Sequence, residues 1–202
     1  MSKNNQDTFA IENFLEDDEL SFLKKLCDKI PNKKNSGEEF LAYTNGFAYE
    51  LLPITIRQKI QEKIGANTVT VSMILKEYHP WSIHSDYSGK DDKHQPSWAV
   101  LIPITFSRDT HTVVFPQKEK ISFNSYKNSN KETNYQYTQQ QIKLLSHISE
   151  SDLNYVSDPV CYKWQPGKLI AWKRDRLHTS DNFKFEDDDH KVALVIFFCN
   201  ND

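Results

Sequence analysis

The sequence predicts a mainly β (α+β) protein, a two-sheet β-sandwich or jelly roll with helices packed outside it. Apolar residues recur at helical spacing in the first 65 residues. From Thr68 onward they alternate with a period of two, in short segments that proline and glycine separate. The chain has 202 residues, of which 38% are hydrophobic, so it can bury a core of domain size. We therefore predict one domain over residues 1–202, with a helical N-terminal part at 1–65 and a jelly-roll core at 68–199.

Two helices are predicted in the N-terminal part. The first follows the acidic residues Glu16, Asp17 and Asp18, which suit the positive end of a helix dipole. Its apolar face is formed by residues at helical spacing: Leu20, Leu23, Cys27 and Ile30. The second helix follows Pro53, and its apolar residues recur every four positions: Ile56, Ile60 and Ile64. We interpret both helices as structural.

Five strands are predicted in the core. The first begins at Thr68 and has an alternating apolar face: Val69, Val71, Met73 and Leu75. The other four are short runs of strand-forming residues: Trp98–Thr105, His111–Phe115, Lys168–Trp172 and Lys191–Phe198. The last of these is apolar on both faces after its first residue, as expected of a central strand.

A polar segment between Gln117 and Ser157 interrupts the strands. It is rich in Asn, Gln, Ser and Tyr, and it contains one predicted helix around Gln139–Ile148. We interpret it as an insertion on the jelly roll, at about residues 117–157. Loops on a rigid scaffold often carry recognition, so the tyrosines of this insertion are candidates to line or cover a pocket. They are Tyr126, Tyr135 and Tyr137.

Composition excludes several classes of function. The formal net charge is −3, which does not fit a basic nucleic-acid-binding surface, and no two glycines are close enough to form a phosphate-binding loop. The three scattered cysteines form no CxxC pair. The longest apolar run, Val192–Cys199, is much shorter than the roughly 20 residues of a membrane span. Met1–Ala10 lacks the pattern of a secretory signal, so we expect a cytoplasmic location and no membrane partner.

Three residues form a candidate metal site. His84 and Asp86 are two positions apart, so on an extended segment their side chains point to the same side. His178 follows a second turn and strand that begins at Pro166. Two histidines and one carboxylate are the ligand set of non-haem Fe(II) sites, which leave coordination positions open for substrates.

Lys191 is a candidate ligand-binding cation. It opens the last apolar strand, where an unpaired buried ammonium group would be costly. An anionic partner is therefore required, and a dicarboxylate cosubstrate would provide one.

The order Tyr78, His84-x-Asp86, His178, Lys191 resembles the Fe(II)- and 2-oxoglutarate-dependent dioxygenase superfamily. The resemblance covers about Thr68 to Cys199 and is strongest to the prolyl-hydroxylase-like branch. Two further segments carry it. Thr112–Pro116 resembles a strand of that branch that ends in Thr-x-Phe-Pro, and Pro166–Trp172 resembles its lead-in to the distal histidine. The chain departs from that branch in having Lys where many members have Arg, and in lacking a Gly-Gly pair before Thr112.

The resemblance implies a double-stranded β-helix fold and a hydroxylase. His84, Asp86 and His178 would bind Fe(II), and Lys191 would pair with the distal carboxylate of 2-oxoglutarate. Tyr78 would be a further hydrogen-bond donor in the same pocket. The reaction implied is decarboxylation of 2-oxoglutarate to succinate with O2 and hydroxylation of a C–H bond, and ascorbate is compatible with it as an accessory reductant. A carboxylate at Asp86 favours hydroxylation, since related halogenases have a small residue at that position.

Other interpretations of the same residues stay open. A non-catalytic, cupin-like metal-binding jelly roll would use the two histidines and Asp86 without needing Lys191. An oxygenase acting on a nucleic acid would need a basic channel, which the charge balance makes the weaker alternative. The expected substrate is a small molecule, an amino acid or a peptide; the sequence gives neither its identity nor the oligomeric state. Roles for His111, Arg174 and Arg176 are left open, and we interpret the two arginines as solvated surface.

Overall fold

A computed structural model describes residues 7–29, 33–34, 41–42, 48–66, 68–77, 79–87, 95–183 and 191–200. Within these ranges, ten strands form one seven-stranded and one three-stranded sheet, and every strand pair is antiparallel. The predicted mainly β fold is therefore confirmed. No helix in the described ranges combines the length and apolar character needed to cross a membrane.

The seven-stranded sheet contains the predicted central strand. In spatial order its members are β1 (Thr8–Ile11), β8 (Leu169–Lys173), β5 (Gln95–Phe106), β10 (Lys191–Asn200), β4 (Thr68–Glu77), β3 (Leu41–Ala42) and β2 (Lys33–Lys34). Strand β10 lies between β4 and β5, so both of its edges are hydrogen-bonded. Its two faces are also both buried, since alternate residues of β10 belong to two different core clusters, and this explains why its sequence is apolar on both faces.

The three-stranded sheet places β6 (His111–Lys118) between β7 (Val160–Lys163) and β9 (Arg176–Ser180). The sequence did not predict β7 or β9. Only four residues form β7, and β9 has Leu177 as its single apolar residue, so neither gives a clear alternating pattern. A buried apolar cluster joins this sheet to the larger one: Ala99, Leu101, Val114, Trp164, Ile170, Trp172, Ala193 and Val195.

The N-terminal part contains the two predicted helices, α1 (Asp17–Lys29) and α2 (Ile54–Ile64), but it is not purely helical as expected. Strand β1 lies there and extends the large sheet, as do the short strands β2 and β3. The strand conformation of β1 is explained by tertiary pairing, because its four residues form hydrogen bonds with the edge of β8. Leu23 of α1 and three isoleucines of α2 are buried in one core cluster with the outer face of the large sheet.

The insertion contains three short helices where one was predicted. They are α3 (Phe123–Ser129), α4 (Gln139–Leu144) and α5 (Glu150–Leu153). Each begins after a hydroxyl residue whose side chain accepts a hydrogen bond from the first turn: Ser122, Thr138 and Ser149. The insertion packs on the small sheet through a third apolar cluster, which includes Phe115, Leu145 and Val156.

Candidate metal centre and cosubstrate cavity

The three predicted metal ligands come together at the open edge between the two sheets. Donor atoms of His84, Asp86 and His178 all lie within 4.8 Å of one another. His178 is part of β9, and its backbone makes two hydrogen bonds with His84, from N of His84 to O of His178 (3.0 Å) and from N of His178 to O of His84 (2.8 Å). This isolated bridge brings the loop at His84 to the sheet that holds His178.

The orientation of each ring suits metal binding. Nδ1 of His84 lies 2.8 Å from O of Ser82, and Nδ1 of His178 lies 3.1 Å from O of Arg176. With these nitrogens donating to backbone carbonyls, each Nε2 is left as the nitrogen that can accept a metal. The Nε2 atom of His178 is 3.5 Å from Oδ2 of Asp86.

Two neighbours hold Asp86. The indole Nε1 of Trp172 donates to Oδ2 of Asp86 at 3.0 Å. The backbone of Asp86 is fixed by Arg174, whose O accepts from N of Asp86 (3.0 Å) and whose guanidinium donates to O of Asp86 (2.9 Å). Arg174 is buried, with 4% of its surface exposed. The expectation that it is solvated surface is therefore wrong.

Burial keeps His178 in the neutral form that metals require. Desolvation lowers the pKa of His178 from 6.5 to about 4, even though the nearby carboxylate of Asp86 acts in the opposite direction. The ring is therefore neutral at neutral pH, and with Nδ1 donating to O of Arg176 its Nε2 is free to bind a metal. Two imidazoles and one carboxylate match the donor preference of a divalent first-row metal, so the residues present fit Fe(II).

The metal ligands open into a cavity of about 340 Å³ between the sheets. Its walls are mainly apolar and include Met73 and Leu75 of β4, Val195 and Phe197 of β10, and the indoles of three tryptophans: Trp81, Trp164 and Trp172. Met73 and Leu75 belong to the alternating face predicted for β4, but Val69 of that face packs against the core cluster of the helices. Sequence reasoning placed none of the three tryptophans at a cavity.

Lys191 lies in the wall of this cavity and is almost completely buried. Its Nζ forms an ion pair at 2.9 Å with Oε2 of Glu77, and it also lies over the rings of Phe183 (3.7 Å from the centroid) and Trp164 (4.7 Å). Burial lowers the pKa of Lys191, and the carboxylate of Glu77 opposes this change. The anionic partner expected from a ligand is thus supplied within the chain, so burial alone does not require a dicarboxylate.

Glu77 also contacts the loop that carries His84. Its Oε1 accepts a hydrogen bond of 2.7 Å from Nε1 of Trp81, and the ring of Trp81 lies 5.4 Å from that of His84. Sequence reasoning missed Glu77. The available signal was its position at the end of β4, on the same face as Met73 and Leu75, where an acidic side chain interrupts an apolar pattern.

The remaining candidates have other surroundings. Tyr78 lies outside the described residues, as do His94 and His190. His111 lies on β6 with its Nδ1 3.0 Å from Oδ2 of Asp181, and it does not line the cavity described above. Arg176 is ion-paired with Asp7.

The tyrosines of the insertion do not cover this cavity. Tyr126 and Tyr137 pack against the third apolar cluster, and the hydroxyl of Tyr137 donates to O of Val156 at 2.6 Å. Tyr135 packs edge-on against Tyr137, with ring centroids 4.8 Å apart. We therefore assign these tyrosines to the packing of the insertion.

A second cavity, of about 670 Å³, also borders His84. One wall is the loop that carries His84, with Ser82 and Ser85, and the other wall belongs to the insertion, with Phe123 and Lys127. His147 also lines it, with its Nε2 3.1 Å from O of Trp81. His84 thus lines both a largely apolar cavity and a mixed polar and apolar one, whereas Asp86 and His178 line only the first.

Comparison with known proteins supports the fold. No protein family's sequence profile matches this chain, and no curated protein matches it in sequence. Solved structures do match. The non-heme α-ketoglutarate-dependent carbocyclase SnoK from nogalamycin biosynthesis is 14% identical with a TM-score of 0.58, and the alignment covers 98% of this chain and 81% of SnoK. A 2OG-Fe(II) oxygenase family oxidoreductase from Burkholderia pseudomallei is 12% identical, with a TM-score of 0.58 and coverage of 96% and 85%.

A prolyl-4-hydroxylase from Pseudomonas putida is 10% identical to this chain, with a TM-score of 0.52 and coverage of 97% and 94%. At these identities the likeness establishes the fold alone. The predicted resemblance to Fe(II)- and 2-oxoglutarate-dependent oxygenases, including the prolyl-hydroxylase-like branch, is confirmed at that level, and with it the double-stranded β-helix.

Proposed function

From this fold and this arrangement of side chains, we propose that the chain is an Fe(II)- and 2-oxoglutarate-dependent oxygenase that hydroxylates a C–H bond of a small molecule, an amino acid or a peptidyl side chain. One observation carries the proposal. The donor atoms of His84, Asp86 and His178 converge at the mouth of a cavity whose wall contains a buried cation, Lys191. Two solved structures of the same fold support the choice of cosubstrate: HygX contains nickel and 2-oxoglutarate, and EvdO2 contains 2-oxoglutarate.

Each residue has a defined role in this proposal. His84, Asp86 and His178 hold Fe(II), and Trp172 orients Asp86 by its hydrogen bond. Lys191 attracts the distal carboxylate of 2-oxoglutarate, and Tyr78 is an additional donor. When bound, Fe(II) supplies the activation of O2 that is coupled to decarboxylation of 2-oxoglutarate to succinate. The apolar walls of the cavity exclude water from the cosubstrate, and ascorbate would serve as an accessory reductant.

Hydroxylation is the outcome that Asp86 favours, because a carboxylate ligand occupies the position that a halide would need. The similar folds include an epimerase and a carbocyclase. A product search should therefore look for loss of hydrogen and for a changed configuration at constant mass, as well as for gain of oxygen.

The second cavity is the proposed substrate site, because it borders His84 and Lys191 is not part of its lining. Its mixed lining suits a ligand with both polar and apolar parts. Lys127, which could attract a nucleic-acid phosphate, is instead paired with Asp152 at 2.5 Å. This pairing disfavours the nucleic-acid alternative and favours a small-molecule or peptide substrate.

An anaerobic titration tests the proposal. The purified protein receives Fe(II) and then 2-oxoglutarate, and the visible metal-to-ligand charge-transfer band is recorded. We expect the band to need both additions and to be lost in His178→Ala. His79→Ala is the matched control, because His79 is an exposed histidine in the loop that carries His84. That variant should retain the band.

The other outcomes separate the alternatives. If metal binds and no band appears, the cupin-like interpretation replaces the oxygenase. If the wild-type protein binds no metal, the three ligands are accidental neighbours and the proposal is wrong.

A further inference from the structure

The cosubstrate cavity contains a carboxylate of its own. Glu77 is 7% exposed, and each of its carboxylate oxygens has one strong donor: Nζ of Lys191 at 2.9 Å and Nε1 of Trp81 at 2.7 Å. The position is reinforced by strand register, since Lys191 at the start of β10 pairs directly with Glu77 at the end of β4. The carboxylate of Glu77 is therefore held beside Lys191 by two contacts, one from β10 and one from the loop that carries His84.

The surroundings of Lys191 leave little room for a second anion. The ammonium group lies under the ring of Phe183 and near that of Trp164, and the lysine is 1% exposed. A ligand carboxylate that reaches Nζ has to share it with Glu77 or displace Glu77. In the first case two carboxylates lie side by side in an apolar cavity and repel each other. In the second case Glu77 loses its ion pair, and its movement also weakens the hydrogen bond that it accepts from Trp81. Either course weakens the binding of a dicarboxylate.

We propose that Glu77 is a specificity residue of the cosubstrate site, an internal competitor that holds the place on Lys191 which the distal carboxylate of a 2-oxo dicarboxylic acid would take. This inference rests on the proposed function. A 2-oxo monocarboxylic acid such as pyruvate has no distal carboxylate and does not compete with Glu77. The chain therefore discriminates less between the two classes of 2-oxo acid than an otherwise identical site with an unpaired lysine.

The test compares Glu77→Gln with the wild-type protein. Both are loaded with Mn(II), which replaces Fe(II) without turnover, and dissociation constants for 2-oxoglutarate and for pyruvate are measured by calorimetry. Glutamine keeps an oxygen for the Trp81 donor and removes the charge. We expect Glu77→Gln to bind 2-oxoglutarate on the order of tenfold more tightly and pyruvate with an unchanged constant. A general loosening of the cavity would not produce a gain restricted to the dicarboxylate.

Two controls isolate the charge of Glu77. Glu77→Asp keeps the carboxylate and should bind 2-oxoglutarate about as weakly as the wild-type protein. Glu50→Gln removes one negative charge from an exposed position and should have no effect on either ligand. If Glu77→Gln does not fold, the wild-type constants decide the question. We then expect the wild-type dissociation constants for pyruvate and 2-oxoglutarate to differ by no more than about tenfold, because Glu77 largely cancels the affinity that a charge-assisted contact with Lys191 would add.

Several results would overturn the proposal. One is equal affinity of the wild-type protein and Glu77→Gln for 2-oxoglutarate, and another is a parallel gain for pyruvate. A third, in the wild-type measurement, is a preference for 2-oxoglutarate of a hundredfold or more. These outcomes leave the oxygenase proposal intact. If Mn(II) binds and no 2-oxo acid does, the proposed function fails first and this inference fails with it.

Discussion

The Lys191–Glu77 ion pair should behave as one energetic unit in folding. Lys191 and Glu77 have side-chain exposures of 2% and 9%, and their charged atoms are 2.9 Å apart. Removing one partner leaves the other buried without its direct counter-charge, which typically costs about 3 to 5 kcal/mol. Removing both leaves no uncompensated charge, so the cost of the two changes together should be smaller than that of either change alone.

A double-mutant cycle in the metal-free protein measures this coupling. Lys191→Met removes the charge and keeps an unbranched apolar side chain one atom shorter than lysine, and Glu77→Gln keeps the shape of glutamate. Each single variant should unfold in urea with a free energy about 3 kcal/mol or more below the wild-type value, and its melting temperature should fall by roughly 10 °C. The unfolding free energy of the double variant should lie at least halfway back from the values of the single variants to the wild-type value.

Additive effects would refute the reasoning. If the double variant lost the sum of the two single losses, Lys191 and Glu77 would be contributing independently, and the 2.9 Å contact would not be an energetic pair. Coincident unfolding curves from fluorescence and circular dichroism would show that two-state free energies apply.

Three further predictions concern the candidate metal site and two glycines with positive φ angles. Trp172→Phe removes the hydrogen bond to Asp86, so metal affinity in a Co(II) titration should fall about 10- to 100-fold with the fold retained. Burial lowers the pKa of His178 from 6.5 to about 4, so as the pH falls this histidine is protonated in the unfolded chain before it is protonated in the folded protein. The metal-free protein should therefore lose on the order of 3 kcal/mol of stability as the pH falls from 6.5 to 4 and none from this group above 6.5, and a urea series with His178→Gln should show a smaller loss. Gly167→Ala and Gly65→Ala should each lower the urea midpoint, because both glycines have positive φ angles, 77° and 68°, which a side chain disfavours.

The sequence predicted the elements whose pattern is local. Strand β4 begins at Thr68 as expected, and α2 ends at Ile64 before a glycine, because alternation and helical spacing are properties of neighbouring residues. The candidate metal ligands were chosen for a related reason. His84 and Asp86 are close in the sequence, and His178 follows a second turn and strand; the resemblance to a known order of residues then implied one role for all three.

Glu77 shows what the sequence could not supply. The need for an anion beside Lys191 followed from the cost of burying a charge, but its source depended on the register between β10 and β4. Register is set by long-range pairing and not by either strand alone. The same limit explains β1, whose strand conformation depends on the edge that β8 offers it.

The backbone bridge between His84 and His178 has a consequence for how the protein would respond to losing its metal. These residues are far apart in the sequence, and two backbone hydrogen bonds already join them. A metal ion bound between their rings would not be the cross-link that closes this long loop, so it would add stability only by mass action. A chelator should therefore empty the site without melting the scaffold. Amide hydrogens of His84 and His178 should remain slow to exchange with deuterium in the stripped protein.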